Sequence, residues 1–479
     1  MAFTPLFCAL ARKEGGELPS FRSKRGGVRI CNPLLNSLRD YLTGVTSSNM
    51  KETITGVVEI RPQTLQRLER EIKDIPDFRK NIKNFLEKST TELLEIILGG
   101  AINLNCSDIH IEPFEVKAKL RTRIDGILQD VLFIEEKIYR ALLSRIKLIS
   151  GLKLNITKSP QDGRFSILTP QEIEVRTSTL PAERGESIVL RILNPKSLIE
   201  LEKLGLREDL LSIFEREIKR PNGMIIVTGP TGSGKTTTLY AFLKKIQNPE
   251  IKIITIEDPI EYHLEGVSQT QVNPEENYDF ANGLQSIMRQ DPDVILVGEI
   301  RDIDTTKIAL QAALTGHLVL STLHTNDAPG TIPRLIDLGA DPATVAAAIN
   351  FVVAQRLLRR ICQKCAKFEK ISQKEIEDFK KVFEVFPKTV KIPPITKNLK
   401  IPKAKGCKFC NFTGFRGRKG VFEAFLIDEK IQKLILKKAP IFELKNQAIQ
   451  NGMVTMQQSA LIDVISGITT LEEVERVVS

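Results

Sequence analysis

Short apolar runs alternate with amphipathic stretches between residues 220 and 330 of this chain. The apolar runs occupy residues 224–227, 252–256, 294–297 and 318–321. Strands that are buried on both faces read as continuous apolar runs, and parallel strands need helical crossovers between them. The pattern therefore predicts an α/β core in which helices cover both faces of a mostly parallel sheet.

Residues 90–195 have a different pattern, in which apolar and polar positions alternate with the period of a half-buried strand. Helical stretches at residues 91–104 and 138–150 interrupt this alternation. The alternating stretches are residues 108–113, 118–124, 163–168, 172–177 and 188–193. We predict a mixed α+β domain that ends near residue 195 and precedes the α/β core.

Residues 1–88 are weakly patterned, and within them only residues 63–88 look helical and mostly polar. We predict a flexible or partner-dependent segment there. The start of the chain lacks the basic region and the small-residue cleavage site of a signal peptide. No run approaches the ~18–20 consecutive apolar residues of a membrane span. These features predict a cytoplasmic protein.

Composition changes this picture only in part. A length of 479 residues suggests about three domains. The net charge of +10 favours acidic partners such as anionic lipid, nucleic acid or an acidic protein face, although a generally lysine-rich surface explains it equally well. The chain has no tryptophan and only 6% aromatic residues, so it offers few platforms for stacking bases.

A glycine-rich loop follows the first apolar run of the core and precedes a helical stretch. Strand, glycine-rich loop and helix in this order form a phosphate-binding loop, in which backbone amides and the helix N-terminus face phosphate oxygens. Lys235 would reach the β- and γ-phosphates, and Thr236 would bind Mg²⁺. The chain is therefore predicted to bind a nucleoside triphosphate with Mg²⁺. The residues predicted to hold the nucleotide are Gly229, Pro230, Thr231, Gly232, Ser233, Gly234, Lys235, Thr236 and Thr237.

Acidic residues follow two of the other predicted strands. Glu299 comes just after the third apolar run, where a carboxylate would lie beside the phosphate loop, hold the Mg²⁺ hydration shell and polarise the attacking water. Glu257, Asp258 and Glu261 form a cluster after the second run that suits the same work. Taken alone, that cluster is more simply interpreted as a solvated acidic turn.

Two histidines flank the last predicted strand of the core, His317 before it and His324 after it. Isolated histidines are usually structural. This strand would lie next to the phosphate loop, however, and a histidine there would report on the γ-phosphate. Both are therefore candidate site residues.

Two C-x-x-C pairs lie in the last third of the chain, Cys362 with Cys365 and Cys407 with Cys410. Each pair supplies two ligands from one tight turn, and four thiolates give Zn²⁺ a closed tetrahedral site. A reducing cytosol favours a metal over disulfides. The pairs therefore predict a structural zinc module, with four unmetallated thiols as the alternative.

Four of these segments, taken together and in order, resemble the motifs of the secretion ATPase superfamily, most closely the type II secretion and type IV pilus assembly ATPases. Residues 229–236 match the family's Walker A motif, and residues 256–261 match its aspartate box. The segment from Arg289 to Asp302, which contains Glu299 and Arg301, matches its Walker B motif. The segment from His317 to His324 matches its histidine box. The resemblance runs from about residue 90 to the C-terminus. It implies a RecA-like P-loop ATPase core, a preceding α+β domain of PAS-like fold and a tetracysteine zinc module.

The same resemblance implies roles for three arginines. In the family, arginines that match Arg176 and Arg191 lie on the preceding domain, swing over the nucleotide and contact its phosphates as arginine fingers do. Arg289 matches a further phosphate-sensing arginine. Where the family commonly carries another arginine, this chain has Gln285, which departs from the usual sensing arrangement.

The pattern and the resemblance together divide the chain into five regions. These are an N-terminal segment at residues 1–88, an α+β domain at 89–198, a RecA-like core at 199–361, a tetracysteine insertion at 362–410 and a mainly helical region at 411–479.

Three functions fit this sequence. The resemblance implies a cytoplasmic ATPase, peripherally associated with the inner membrane, that forms a homohexamer and drives pilus or pseudopilus assembly or type II secretion through platform and adaptor proteins. The charge also permits contact with an anionic membrane surface. A nucleic-acid translocating or packaging ATPase is the alternative, against which the scarcity of aromatic residues argues. A nucleotide-binding scaffold without turnover is the third, against which the complete set of acidic residues and lysine argues.

Overall fold

The computed structural model describes residues 56–195, 198–387, 390, 392 and 394–478. Residues 1–55, which make up most of the predicted N-terminal segment, lie outside the described residues. The described strands form two large sheets and one small two-stranded sheet.

The first large sheet has the strand order β1-β5-β6-β7-β2-β3-β4 and belongs to an α+β domain. Alternating burial along its strands places apolar side chains against the helices and leaves a polar face on the other side. Arg176 and Arg191 lie on that polar face. The strands are β1 Val57–Glu59, β2 Cys106–Pro113, β3 Lys117–Ile124, β4 Ile127–Glu135, β5 Gln161–Leu168, β6 Glu172–Ala182 and β7 Gly185–Leu193. The helices are α1 Pro62–Glu71, α2 Ile75–Lys83, α3 Thr90–Asn103 and α4 Glu136–Ile149.

Helix α3 lies in the core of this domain. It begins at a capping box, in which the Ser89 hydroxyl accepts from the Glu92 amide and the Glu92 carboxylate accepts from the Ser89 amide. Gly100 lies against α2, and a Cβ at this position would be 2.3 Å from the ring of Phe78. The missing side chain therefore lets α2 pack directly on α3.

The structure corrects the predicted boundary at residue 88. Strand β1 pairs parallel with β5, and Leu68, Phe78 and Ile82 of α1 and α2 are completely buried in the core of the α+β domain. These helices are polar in composition, but their apolar residues recur at helical spacing and form one buried stripe. Residues 57–83 are therefore part of the folded domain, and the prediction of a flexible segment fails for them.

The second large sheet has the strand order β10-β9-β11-β12-β8-β13-β16. Neighbouring strands from β10 to β13 are parallel. Every residue of β8, β11 and β12 is buried, which confirms the predicted α/β core. The strands are β8 Gly223–Thr228, β9 Ile253–Glu257, β10 Ser268–Gln271, β11 Val294–Val297, β12 Leu318–Leu323, β13 Ile349–Ile361 and β16 Phe415–Leu426. The helices up to β13 are α5 Glu208–Glu217, α6 Lys235–Ile246, α7 Phe280–Met288, α8 Ile303–Leu314, α9 Thr331–Asp337 and α10 Pro342–Ala348.

The C-terminal region differs from the predicted helical tail, because it begins with the long strand β16. This strand pairs antiparallel with β13 and thereby extends the second sheet. The helices that follow pack on the core of the same sheet, so residues 411–478 continue the α/β domain. Those helices are α12 Glu429–Leu436, α13 Ile441–Gln450, α14 Met456–Ile465 and α15 Leu471–Val478.

A small module lies between β13 and β16. Its two-stranded antiparallel sheet pairs β14 Lys367–Lys370 with β15 Lys400–Lys403. Helix α11 Gln373–Val382 lies between these two strands in the chain. The two C-x-x-C pairs stand at its ends.

Among the described residues, no helix combines the length and the apolar character that crossing a membrane requires.

Candidate nucleotide and metal sites

The loop between β8 and α6 has the backbone of a phosphate-binding loop. Gly229, Gly232 and Gly234 adopt φ values of 147°, 77° and 91°, which other residues rarely adopt. A Cβ on Gly229 would also lie 2.5 Å from the backbone oxygen of Gln355 on β13. Glycine is therefore required at the start of the loop both by its conformation and by the close approach of β13.

Lys235 is the first residue of α6 and lies against its own loop. Its Nζ donates to the backbone oxygens of Gly229 at 2.8 Å and Pro230 at 3.3 Å. Burial, together with the nearby charge of Arg356, lowers the pKa of Lys235 to about 8. A triphosphate bound in the loop would supply the negative charge that this ammonium lacks in the free protein.

Glu299 and His324 meet where β11 and β12 end. The two strands are parallel neighbours, so their carboxyl ends share one edge of the sheet with the phosphate loop after β8. The His324 Nε2 lies 3.3 Å from Glu299 Oε2, and Arg301 contacts the same carboxylate. The backbone amide of Thr325, next to His324, donates to Thr228 Oγ1 at 2.8 Å, so the histidine segment is tied to the start of the loop.

The surroundings of His324 favour its neutral form. Partial burial lowers its pKa, and the positive charges of Lys235 and Arg301 lower it further. A neutral imidazole can accept one hydrogen bond and donate another. His324 therefore links the carboxylate of Glu299 to the side of the site where Lys235 lies.

The predicted aspartate box is divided between exposed and buried carboxylates. Asp258 lies 3.7 Å from Arg301, so it shares this arginine with Glu299. Glu257, in contrast, is only 3% exposed. Its oxygens accept from the hydroxyl of Tyr240, from Thr255 Oγ1 at 2.6 Å and from Gln269 Nε2 at 3.2 Å. Glu257 thus anchors the end of β9 to helix α6 in this structure.

Arg176 connects the α+β domain to the aspartate box. Its guanidinium lies 3.4 Å from Glu261 and donates to the backbone oxygen of Ile260. Arg191 is its cross-strand neighbour and donates from Nε to Asp108 at 3.0 Å. Both predicted finger arginines therefore lie on the sheet face that meets the α/β domain.

Two predicted site residues lie away from this cluster within the chain. His317 precedes β12, whereas His324 follows it, and a strand of this length separates them by roughly 20 Å; the His317 ring bonds to the backbone oxygen of Ala312 at 3.0 Å. Arg289 caps α7 at the opposite edge of the sheet and donates to Ser286 Oγ at 3.1 Å. The structure thus corrects the grouping of His317 and Arg289 with the phosphate loop of the same chain, because both lie where the parallel strands begin.

Three residues near the loop were missed by sequence reasoning. Arg301 was read only as part of the Walker B segment, yet it contacts Glu299 and Asp258. Gln355 accepts from Thr238 Oγ1 at 2.7 Å, and Arg356 donates to the backbone oxygen of Asn326 at 2.7 Å. No local signal identified the last two, because they approach the loop only through the pairing of β13 with β8.

The four cysteine sulfurs converge at the ends of the small module. The Sγ atoms of Cys362, Cys365, Cys407 and Cys410 all lie within 4.8 Å of one another. The amides of Cys407 and Gly414 donate to Cys410 Sγ at 3.1 and 3.2 Å. The cluster is therefore able to hold a metal ion.

A buried parallel sheet with this loop, a carboxylate on a neighbouring strand and cations around it defines a P-loop nucleoside triphosphatase. The model of the family described as "Type II/IV secretion system protein" matches residues 83–476. The chain belongs to this family, which confirms the predicted resemblance.

Relatives in this family include secretion and pilus ATPases. Type II secretion system ATPase E of Vibrio cholerae is 43% identical over 388 residues, which cover 81% of this chain and 75% of that protein. The type IV pilus assembly ATPase PilB of Myxococcus xanthus is 38% identical over 469 residues, which cover 93% of this chain and 81% of that protein. The chain is thus an ATPase of the secretion and pilus assembly type.

Solved structures agree with this assignment. The pilus retraction motor PilT with bound ADP is similar with a TM-score of 0.54 and 28% identity, covering 79% of this chain and 95% of that chain. The ATPase DotB of Legionella pneumophila shares the fold with a TM-score of 0.58 and 21% identity, covering 80% and 95% of the two chains.

Proposed function

We propose that this chain hydrolyses ATP at the loop between β8 and α6 and uses the energy to drive pilus or pseudopilus assembly or type II secretion. The observation that carries this proposal is the cluster of Glu299, His324 and Arg301 at the strand edge that also carries the loop. The names of the relatives support the same function.

In this proposal the loop and Lys235 bind the β- and γ-phosphates. Lys235 exchanges its bonds to the loop carbonyls for phosphate oxygens, and the loop amides face the same charge. Thr236 and the carboxylates of Glu299 and Asp258 suit Mg²⁺, which prefers oxygen ligands and supplies charge neutralisation on the phosphates.

Glu299 is proposed to activate the attacking water. Its carboxylate is largely buried, and its contacts with Arg301 and His324 orient it. An ionised carboxylate at this position can accept a proton from water as the phosphoryl group is transferred. His324 stays neutral and orients the same carboxylate.

Arg176 and Arg191 are proposed to complete the site from the α+β domain. Their guanidinium groups would neutralise charge on the phosphates when the domain closes, and phosphate release would reopen it. Arg176 already contacts the aspartate box through Glu261. The roles proposed for Arg289 and His317 would require a neighbouring subunit, because both lie at the far edge of the sheet in one chain.

The assembly proposed for this ATPase is a homohexamer at the cytoplasmic side of the inner membrane, where platform and adaptor proteins receive the motion. The metal proposed for the cysteine cluster is Zn²⁺, because four thiolates at this spacing suit a closed tetrahedral site. Elemental analysis of the purified full chain should give about one zinc per chain. A folded preparation without metal would exclude this site.

ATP hydrolysis is tested by comparing Glu299→Gln with Glu276→Gln, which makes the same substitution at an exposed position. Glu299→Gln should lower kcat by at least about a hundredfold, because the proton acceptor is lost, while ATP still binds. Lys235→Ala should lose binding as well. Substantial turnover in purified Glu299→Gln would refute the assignment, and stimulation by single-stranded DNA rather than phospholipid would favour a nucleic-acid motor.

A further inference from the structure

The polar face of the first sheet carries a row of arginines in strict register. Cross-strand pairing places Arg164 beside Arg176, Arg176 beside Arg191, Arg191 beside Asp108, and Asp108 beside Arg123. Directly opposite residues on a sheet share a face, and like charges there are destabilising. Asp108 is the carboxylate within this row, so its contacts decide how the neighbouring guanidinium groups are held.

Contacts with residues other than Arg191 hold the Asp108 side chain in place. Its side chain is only 6% exposed, and its Oδ2 accepts from Ser107 Oγ at 2.8 Å and lies 3.2 Å from Arg123 Nε. The remaining oxygen, Oδ1, accepts from Arg191 Nε at 3.0 Å. The carboxylate thus has one oxygen held by its own hairpin and one available to Arg191.

Asp108 contacts the guanidinium group of Arg191 through Nε. Because Nε is the donor to Asp108, the contact does not use the guanidinium edge between the two terminal nitrogens, and the Arg191 side chain is 56% exposed. The charge of Glu261 in the α/β domain acts on Arg191. Its cross-strand neighbour Arg176 contacts Glu261 and Ile260 of that domain, so Arg191 lies on the sheet face that meets the domain with the phosphate loop. The two terminal nitrogens form the fork that suits a phosphate group.

We propose that Asp108 is a positioning residue that orients Arg191 for bidentate contact with the triphosphate. This inference rests on the proposed function of Arg191 as a finger. Asp108 binds the Nε edge while the terminal nitrogens bind phosphate, so it acts on the nucleotide only through Arg191. A buried carboxylate that holds an arginine in one orientation reduces the conformational freedom lost when the phosphate binds.

The test measures ATP and ADP affinities and kcat for the full chain with Asp108→Asn, Arg191→Ala and the double variant. Asp108→Asn should weaken binding of a non-hydrolysable ATP analogue about tenfold, the effect of one charge-assisted hydrogen bond, and change ADP binding much less. In the Arg191→Ala background the same substitution should have no further effect. Glu112→Gln is the matched control, because Glu112 pairs with Arg121 on the same sheet face, 3.3 Å away.

Arg191→Lys tests the same proposal with Asp108 unchanged, so a folding defect caused by substituting Asp108 does not affect this test. Lysine retains the charge but lacks Nε, so it should lose the ATP-over-ADP preference to the same extent as Asp108→Asn. An Asp108→Asn variant that binds ATP normally or more tightly, or whose defect persists in the Arg191→Ala background, would overturn the role of Asp108. Normal binding and turnover in Arg191→Ala would instead refute the finger itself and the positioning role with it.

Discussion

Raising the pH should weaken ATP binding through one lysine. The pKa of Lys235 is about 8 in the free protein, because the group is partly buried and lies near Arg356. If binding needs the charged lysine, the apparent Kd is the intrinsic Kd divided by the protonated fraction. That fraction falls from about 0.9 at about pH 7 to about 0.1 at about pH 9, so affinity should fall about tenfold.

The assay is equilibrium binding of a non-hydrolysable ATP analogue with Mg²⁺ across this pH range. Lys235→Arg is the matched control, because arginine keeps its charge throughout and should bind with little pH dependence. Arg356→Ala removes a neighbouring positive charge and should move the midpoint to higher pH. An affinity of the unmodified chain that stays constant over the range would refute the argument, as would an equal decline in Lys235→Arg.

Two further predictions concern stability of the α+β domain. The Lys147 ammonium lies 2.9 Å from both Glu186 oxygens, and its side chain is 2% exposed. Glu186→Gln should therefore destabilise the domain by about 3–5 kcal/mol, because it would leave the buried ammonium without its ion-pair partner. Urea unfolding measures this effect, and an unchanged midpoint would contradict the prediction. Gly100→Ala should cost about 1–3 kcal/mol through its clash with Phe78, and more than Gly99→Ala, whose Cβ meets the flexible end of Leu68; equal thermal stability of the two variants would contradict the packing of α2 on α3.

Much of the site could be predicted because its chemistry lies on consecutive strand ends. In a parallel sheet every crossover returns the chain to the same edge, so the loop after β8, Glu299 after β11 and His324 after β12 meet without further information. The same rule places His317 and Arg289 away from the phosphate loop of their own chain, because they stand at the beginnings of strands. Strand direction, rather than membership of a motif, separates the two groups.

The parts that could not be predicted depend on pairings between distant segments. Nothing local shows that β13 approaches the loop and that Gln355 accepts from Thr238, because both facts follow from the register of β13 with β8. The α1 and α2 helices were assigned to a flexible segment for a similar reason. Their few apolar residues gain their burial from α3, and a polar composition hides that stripe.

Hydrogen bonds beside the cysteine module join the α+β domain to the α/β domain. Asn411, directly after Cys410, accepts from the amide of Ile75 at the start of α2 at 2.8 Å. Asp125, in the turn between β3 and β4, accepts from the amide of Gly417 at 2.8 Å. These contacts border an interdomain cavity of about 970 Å³, so the domains are joined there by hydrogen bonds around open space. Each such bond contributes about 0.5–1.5 kcal/mol, whereas a hydrogen bond to a charged group contributes about 1.5–3 kcal/mol. If Arg176 and Arg191 bind a triphosphate as proposed, their charge-assisted hydrogen bonds would therefore outweigh the two contacts at the module.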